Sequence, residues 1–205
     1  MTISKPMAAP FSAPADPSTF SAADGQETPA PCGPDEAIAR VTAVDRDQYL
    51  IRNATGEIPA RLIGRAAYTS ASPVDLPCVG DWLRVRMHDD GAHASILAVL
   101  PRRSFLRRKR PGSAVEFQMI AANIDLAFIV QSCHFDFNVR RLERYLVLTS
   151  EGQIEPVVVL TKTDLVATAE LEKLVAQIRQ AGIAARIVAL SNVSGEGYAA
   201  IRDLI

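Results

Sequence analysis

Cysteine is scarce in this chain, with only Cys32, Cys78 and Cys133. Three widely spaced cysteines argue against both a disulfide framework and a closed zinc site, and fit a reducing cytoplasm. Lysine is scarcer than the charge total suggests, occurring only as Lys5, Lys109, Lys162 and Lys173. None lies in the frame G-x-x-x-x-G-K-[ST], so the 205 residues contain no phosphate-cradling loop of that kind. Net charge is −1, which gives no global basicity to announce a nucleic-acid partner. No apolar run approaches the roughly 18 residues of a membrane span, so no membrane association is expected. The N-terminus lacks a basic region followed by an apolar one, and Asp16, Asp24 and Glu27 count against a transit peptide.

What is present changes character along the chain. Residues 1–36 hold seven of the thirteen prolines among Ala, Ser and Thr, and read as a disordered, dispensable arm. From 37 to 100 the pattern is strand-like. Alternation at 38–44 turns at Asp45-Arg-Asp and returns at 48–52; further strands are expected at 57–63, 79–86 and 94–100, with a polar loop at 69–77 and a hairpin turn at 88–91. Five short strands in this span predict a small barrel of the OB type. Trp82, the only tryptophan, should be half-buried next to Leu83.

Residues 101–115 read as a basic linker. Arg102, Arg103, Arg107, Arg108, Lys109 and Arg110 place six cations in nine positions, with no acidic residue between Gly91 and Val115. Such density draws phosphate backbones, and these six are the candidate RNA contacts. From 116 to 205 the pattern is α/β: strands at 124–130, 157–160 and 185–190, and helices at 138–148 and 169–182. Asn138 is the expected N-cap of the first helix, and another helix starts at Tyr198. Three parallel strands with an exposed edge predict the first part of a larger sheet, so the chain is expected to stop in mid-fold.

The run Val157–Leu160 ends abruptly in Thr161-Lys162-Thr163-Asp164. Ligands of open α/β sheets bind at the carboxyl ends of such strands, which is where Asp164 would sit. Guanine offers an N1 hydrogen and an exocyclic amine side by side, so one carboxylate can accept both bonds and adenine is rejected. Lys162 would lay its aliphatic stem over the ring. His134 beside Cys133 suggests a metal pair, but neighbours on extended chain point apart and no third ligand is near; His88 and His93 flank a turn. No metal ligands and no catalytic residues are assigned.

Val79-Gly-Asp-Trp82, Leu100-Pro-Arg-Arg-Ser104, Ala121-Ala-Asn-Ile-Asp125, Asp136-Phe-Asn-Val-Arg-Arg-Leu-Glu-Arg-Tyr-Leu146 and Pro156–Leu165 together resemble the ribosome small-subunit-dependent GTPase A family over about 37–205. The resemblance implies an OB domain followed by a circularly permuted, P-loop NTPase-like GTPase domain, in which the guanine loop precedes the phosphate loop. It implies Thr161, Lys162 and Asp164, with Ser191, Asn192 and Val193 of a second loop, as the guanine-recognition residues for GTP or GDP. Two departures stand out: Thr161 where many GTPases have Asn, and Asn192 in place of the customary Ala. Magnesium and a zinc domain are implied for the intact family member, with no ligands for either in this chain. The small ribosomal subunit and its rRNA are the implied partners of a monomeric GTP hydrolase acting late in subunit maturation. The chain itself, lacking a phosphate loop, is expected to be inactive. The alternative is a nucleic-acid-binding OB module with a vestigial, non-hydrolysing α/β half.

Overall fold

The computed structural model describes residues 33, 35–46, 48–63, 72–109 and 116–205. Apart from Gly33, Asp35 and Glu36, the expected N-terminal arm lies outside these, as does Arg110. The chain divides into two compact units, one from the described residues up to 63 with Trp82–Leu100, the other from 72–81 with Pro101–Ile205.

The first unit is a closed barrel of β1 (Glu36–Asp45), β2 (Gln48–Asn53), β3 (Gly56–Leu62), β4 (Trp82–His88) and β5 (His93–Val99). Alternation puts Ala39 and Val41 of β1, Ile51, Leu83, Val85 and Ile96 into its core, each no more than 2% exposed. The ring closes in the order β1-β2-β3-β5-β4, with β3 and β5 parallel and β1 pairing β4. Closure leaves no free sheet edge, which is how so small a sheet avoids pairing with other chains. Trp82 is half-buried as expected, with the Arg40 guanidinium 5.6 Å from the ring centroid. His88 and His93 brace the β4–β5 turn, through Ser95 at 2.8 Å and Asp89 at 3.2 Å respectively.

The second unit contains a three-stranded parallel sheet in the order β10-β9-β8, made of β8 (Leu126–Ser132), β9 (Glu155–Thr161) and β10 (Arg186–Ala189). β9 is central, so its run Val157–Leu160 is buried on both faces, at 3% exposure or less. Helix α1 (Val139–Glu151) connects β8 to β9, α2 (Thr168–Gln180) connects β9 to β10, and a short α3 (Tyr198–Arg202) follows β10. One face of the sheet packs Leu142, Leu174 and Ile178 from α1 and α2; the other packs Ala200, Ile201 and Leu204. Asn138 caps α1 as expected, its side chain accepting from the Arg141 N–H at 3.1 Å.

Two sequence expectations fail here for the same reason. The stretch expected to be a basic linker contributes β6 (Phe105–Lys109), which pairs antiparallel with β7 (Phe117–Ala122). The expected strand at 79–86 begins only at Trp82, because Val79 bridges Ala121 and Gly80 accepts from the Asn123 side chain, committing 79–81 to the second unit. Both outcomes depend on partners distant in sequence.

Candidate functional site

The carboxyl edge of the parallel sheet gathers two loops. After β9 the backbone turns through Lys162 in the left-handed region, φ 62°, into a 3-10 turn at Thr163–Leu165. The turn leaves Lys162 and Asp164 exposed. After β10, Leu190 donates to Leu160 at 2.8 Å and accepts from the Thr163 N–H at 3.4 Å, so the second loop is held against the first.

Ser191 ties them together. It is fully buried, and its hydroxyl donates to Asp164 Oδ1 at 2.5 Å while accepting from the N–H groups of Val193 and Ser194 at 3.1 and 3.2 Å. One Asp164 oxygen is thereby fixed, and Oδ2 has no protein donor among the described residues. A carboxylate fixed at one oxygen and open at the other is preorganised to accept bonds from a ligand. The loop is closed by Ser191 N–H to Glu196 O and Gly195 N–H to Ser191 O, each 3.0 Å. Gly197, φ 81°, makes the exit; a Cβ there would stand 2.1 Å from the Ala189 carbonyl oxygen, so only glycine lets the loop turn this tightly.

Of the six residues expected at the base site, Thr161 is the last residue of β9 and the other five lie on these two loops. Asp164 and Ser191 are joined directly, whereas Thr161 turns its hydroxyl toward the Gln131 carbonyl at 3.5 Å. Val193 is 84% exposed and contributes its backbone to the Ser191 hydroxyl. Sequence reading missed Tyr198, whose hydroxyl donates to Asn192 Oδ1 at 3.0 Å. A tyrosine six residues past a loop asparagine carries no local signal.

The five described residues among the six expected RNA contacts do not form one surface. Arg102 is turned inward: its Nε and one Nη reach the two oxygens of the fully buried Asp81 at 2.7 and 2.8 Å, and it also donates to the carbonyls of Val74 and Leu76. The Asp81 hydrogen bond holds this guanidinium above its ordinary pKa. Asp81 also accepts from the Cys78 N–H at 2.8 Å, and burial followed by the Asp81 charge pushes the Cys78 thiol up to about 12. Arg103 pairs with Asp125 at 3.0 Å on the surface. Arg107 pairs with Glu151 and lies over the Phe117 ring at 4.4 Å. Arg108 reaches Gln118 at 3.4 Å, and Lys109 has no ion pair among the described residues. Also among the described residues, no three His, Cys, Asp or Glu side chains come together as a metal site.

No helix among the described residues is long and apolar enough to cross a membrane. The sequence profile of the family described as RsgA GTPase matches residues 99–205. The chain is 37% identical over 171 residues to the small ribosomal subunit biogenesis GTPase RsgA of Opitutus terrae, covering 80% of this chain and 46% of that protein. It is 42% identical over 130 residues to small ribosomal subunit biogenesis GTPase RsgA 2 of Lactiplantibacillus plantarum, covering 63% and 36%. The chain thus spans less than half the length of these relatives. Among solved structures, YjeQ from Thermotoga maritima superposes with a TM-score of 0.64 at 22% identity, covering 82% of this chain and 56% of that one. YloQ, a circularly permuted GTPase, superposes with a TM-score of 0.57 at 20% identity, covering 82% and 55%. The expected OB-type barrel followed by the first part of a permuted GTPase sheet is the fold these structures share with it.

Proposed function

The chain belongs to the RsgA GTPase family, and on that premise we propose that its two sheet-edge loops bind the base of GTP or GDP and that it serves in small-subunit biogenesis. The observation that carries the base site is the 2.5 Å bond from Ser191 to Asp164, which fixes one carboxylate oxygen and leaves the other open. Guanine's N1–H and exocyclic amine are the donor pair such a carboxylate selects. Lys162 covers the ring with its stem, and the second loop approaches the keto oxygen through backbone.

The RNA-facing part of the proposal narrows to the β6–β7 hairpin and the barrel. Arg108 and Lys109 have no acidic partner among the described residues and are the cations proposed to meet rRNA phosphates; Arg103 and Arg107 can reach phosphate only by releasing an acidic partner. Arg102 is withdrawn from that surface, because its Nε and both Nη atoms donate to Asp81 and to the Val74 and Leu76 carbonyls. The small subunit is the proposed partner, met by a monomer in the cytoplasm. Among the described residues no three His, Cys, Asp or Glu side chains offer magnesium or zinc a donor set. For these 205 residues we propose base recognition without turnover, since the sequence holds no phosphate cradle.

Calorimetry or saturation-transfer NMR with GDP, ADP and xanthosine diphosphate tests the base site. GDP should bind in preference to ADP. Asp164→Asn should lower GDP affinity by about ten- to a hundredfold, the loss of charge-assisted bonds. The same variant should gain affinity for the xanthine nucleotide, whose C2 oxygen accepts from the new amide. Equal affinity for GDP and ADP in the unaltered chain would sink the guanine reading.

A further inference from the structure

The guanine edge opposite Asp164 carries two acceptors, O6 and N7, and a site that reads this edge needs donors. Thr161, at the end of β9, offers none, its hydroxyl being turned to Gln131. In the second loop most backbone donors are consumed internally: Ser191 by Glu196, Val193 and Ser194 by the Ser191 hydroxyl, Gly195 by Ser191, Glu196 by the Ser194 hydroxyl. Among the described residues, the Asn192 N–H alone in the run 191–196 is given no protein acceptor. The Asn192 side chain is also held, by the Tyr198 hydroxyl on Oδ1 at 3.0 Å. An amide carries two N–H groups beside its oxygen, so engaging Oδ1 fixes the amide plane and leaves both N–H groups to donate.

We infer that Asn192, oriented by Tyr198, reads N7 of guanine with its side-chain amide, beside the backbone approach to O6 proposed above. The inference rests on the guanine reading above and deepens it. Asn192 is a base-contacting residue and Tyr198 a positioning residue. The amide missing at position 161 is supplied from the second loop. Gly197 and the buried Ser191 hold that loop rigid enough for one side chain to matter.

The test compares GDP with 7-deaza-GDP, which keeps the shape of the base and replaces N7 by carbon, on the 205-residue chain. In the unaltered chain 7-deaza-GDP should bind about three- to tenfold more weakly, the loss of one neutral hydrogen bond. Asn192→Ala should weaken GDP by a similar factor and abolish the difference between the two nucleotides. Tyr198→Phe should shrink that difference without changing thermal stability, and Tyr198→Phe should add nothing in the Asn192→Ala background. A 7-deaza penalty that is absent in the unaltered chain, or that survives in Asn192→Ala, overturns the inference. If GDP binding still depends on Asp164 in that case, the guanine reading stands and only the Asn192 assignment falls. If the unaltered chain does not prefer GDP to ADP, both fall together.

Discussion

Asp164 and Asp81 are both aspartates at the margin of an element, and their surroundings give them opposite work. Asp164 is exposed and half satisfied, so its open oxygen is available to a ligand. Asp81 is wholly buried and accepts from Arg102 through both oxygens and from the Cys78 N–H, so nothing remains for a ligand. Its role is to stitch 72–81 to the segment after the barrel. Removing one partner of a buried pair strands the other charge, at a cost of about 3–5 kcal/mol. Arg102 keeps 17% of its side chain in water, which places Asp81→Ala toward the lower part of that range. The expected outcome is a clear fall in Tm by calorimetry. Cys78 supplies a second readout: a thiol held at about 12 by burial and then by Asp81 stays protonated at pH 8 and resists alkylation. In Asp81→Ala the thiol pKa should fall and peptide mapping should find Cys78 modified faster. Asp164 was legible in sequence because a strand run and the chemistry of its end lie within nine residues. Asp81 and Arg102 were not, since nothing local distinguishes a basic residue that faces solvent from one folded onto an acid twenty-one positions earlier.

At the scale of elements, the β6–β7 hairpin shows how a charge run becomes structure. Phe105 donates its N–H to Gly152 O at 3.0 Å, at the carboxyl end of α1. Gly152 permits this approach because a Cβ there would lie 1.7 Å from the Phe105 carbonyl oxygen. Arg107 is drawn down onto Phe117 and Glu151. Arg108 and Lys109 are left as the outward cations of the strand. Each phosphate contact contributes a slope of about −0.7 to −0.9 in log affinity against log salt, depending on whether the RNA is single-stranded or duplex. Neutralising Arg108 and Lys109 together should therefore flatten the slope for rRNA fragments by about 1.4 to 1.8 and leave thermal stability unchanged. An unaltered slope moves the RNA surface away from the hairpin. The sequence displayed the charges but not the strand, because the pairing that makes β6 joins residues across the interval 110–115.

For the whole molecule, the proposal of base recognition without turnover has a direct readout. Phosphate release from GTP by the 205-residue chain should stay at the buffer rate, with and without small ribosomal subunits; release above it would place a phosphate site in residues that show none. The barrel and the parallel sheet were both legible from sequence alone. Alternation buries Ile51, Leu83 and Ile96, and a doubly apolar run buries β9, and those periodicities are local properties of the chain that any packing must respect. The position of the loop that carries Asp164 was legible for the same reason, since strand and motif are contiguous. Tertiary structure alone decided which unit owns 79–81, that Arg102 turns inward onto Asp81, that the basic run contributes a strand paired with β7, and that Tyr198 holds Asn192. Each of these is a contact between groups separated along the chain, formed because burial and unpaired hydrogen-bonding groups demand partners wherever the fold brings them, and no local pattern records that demand.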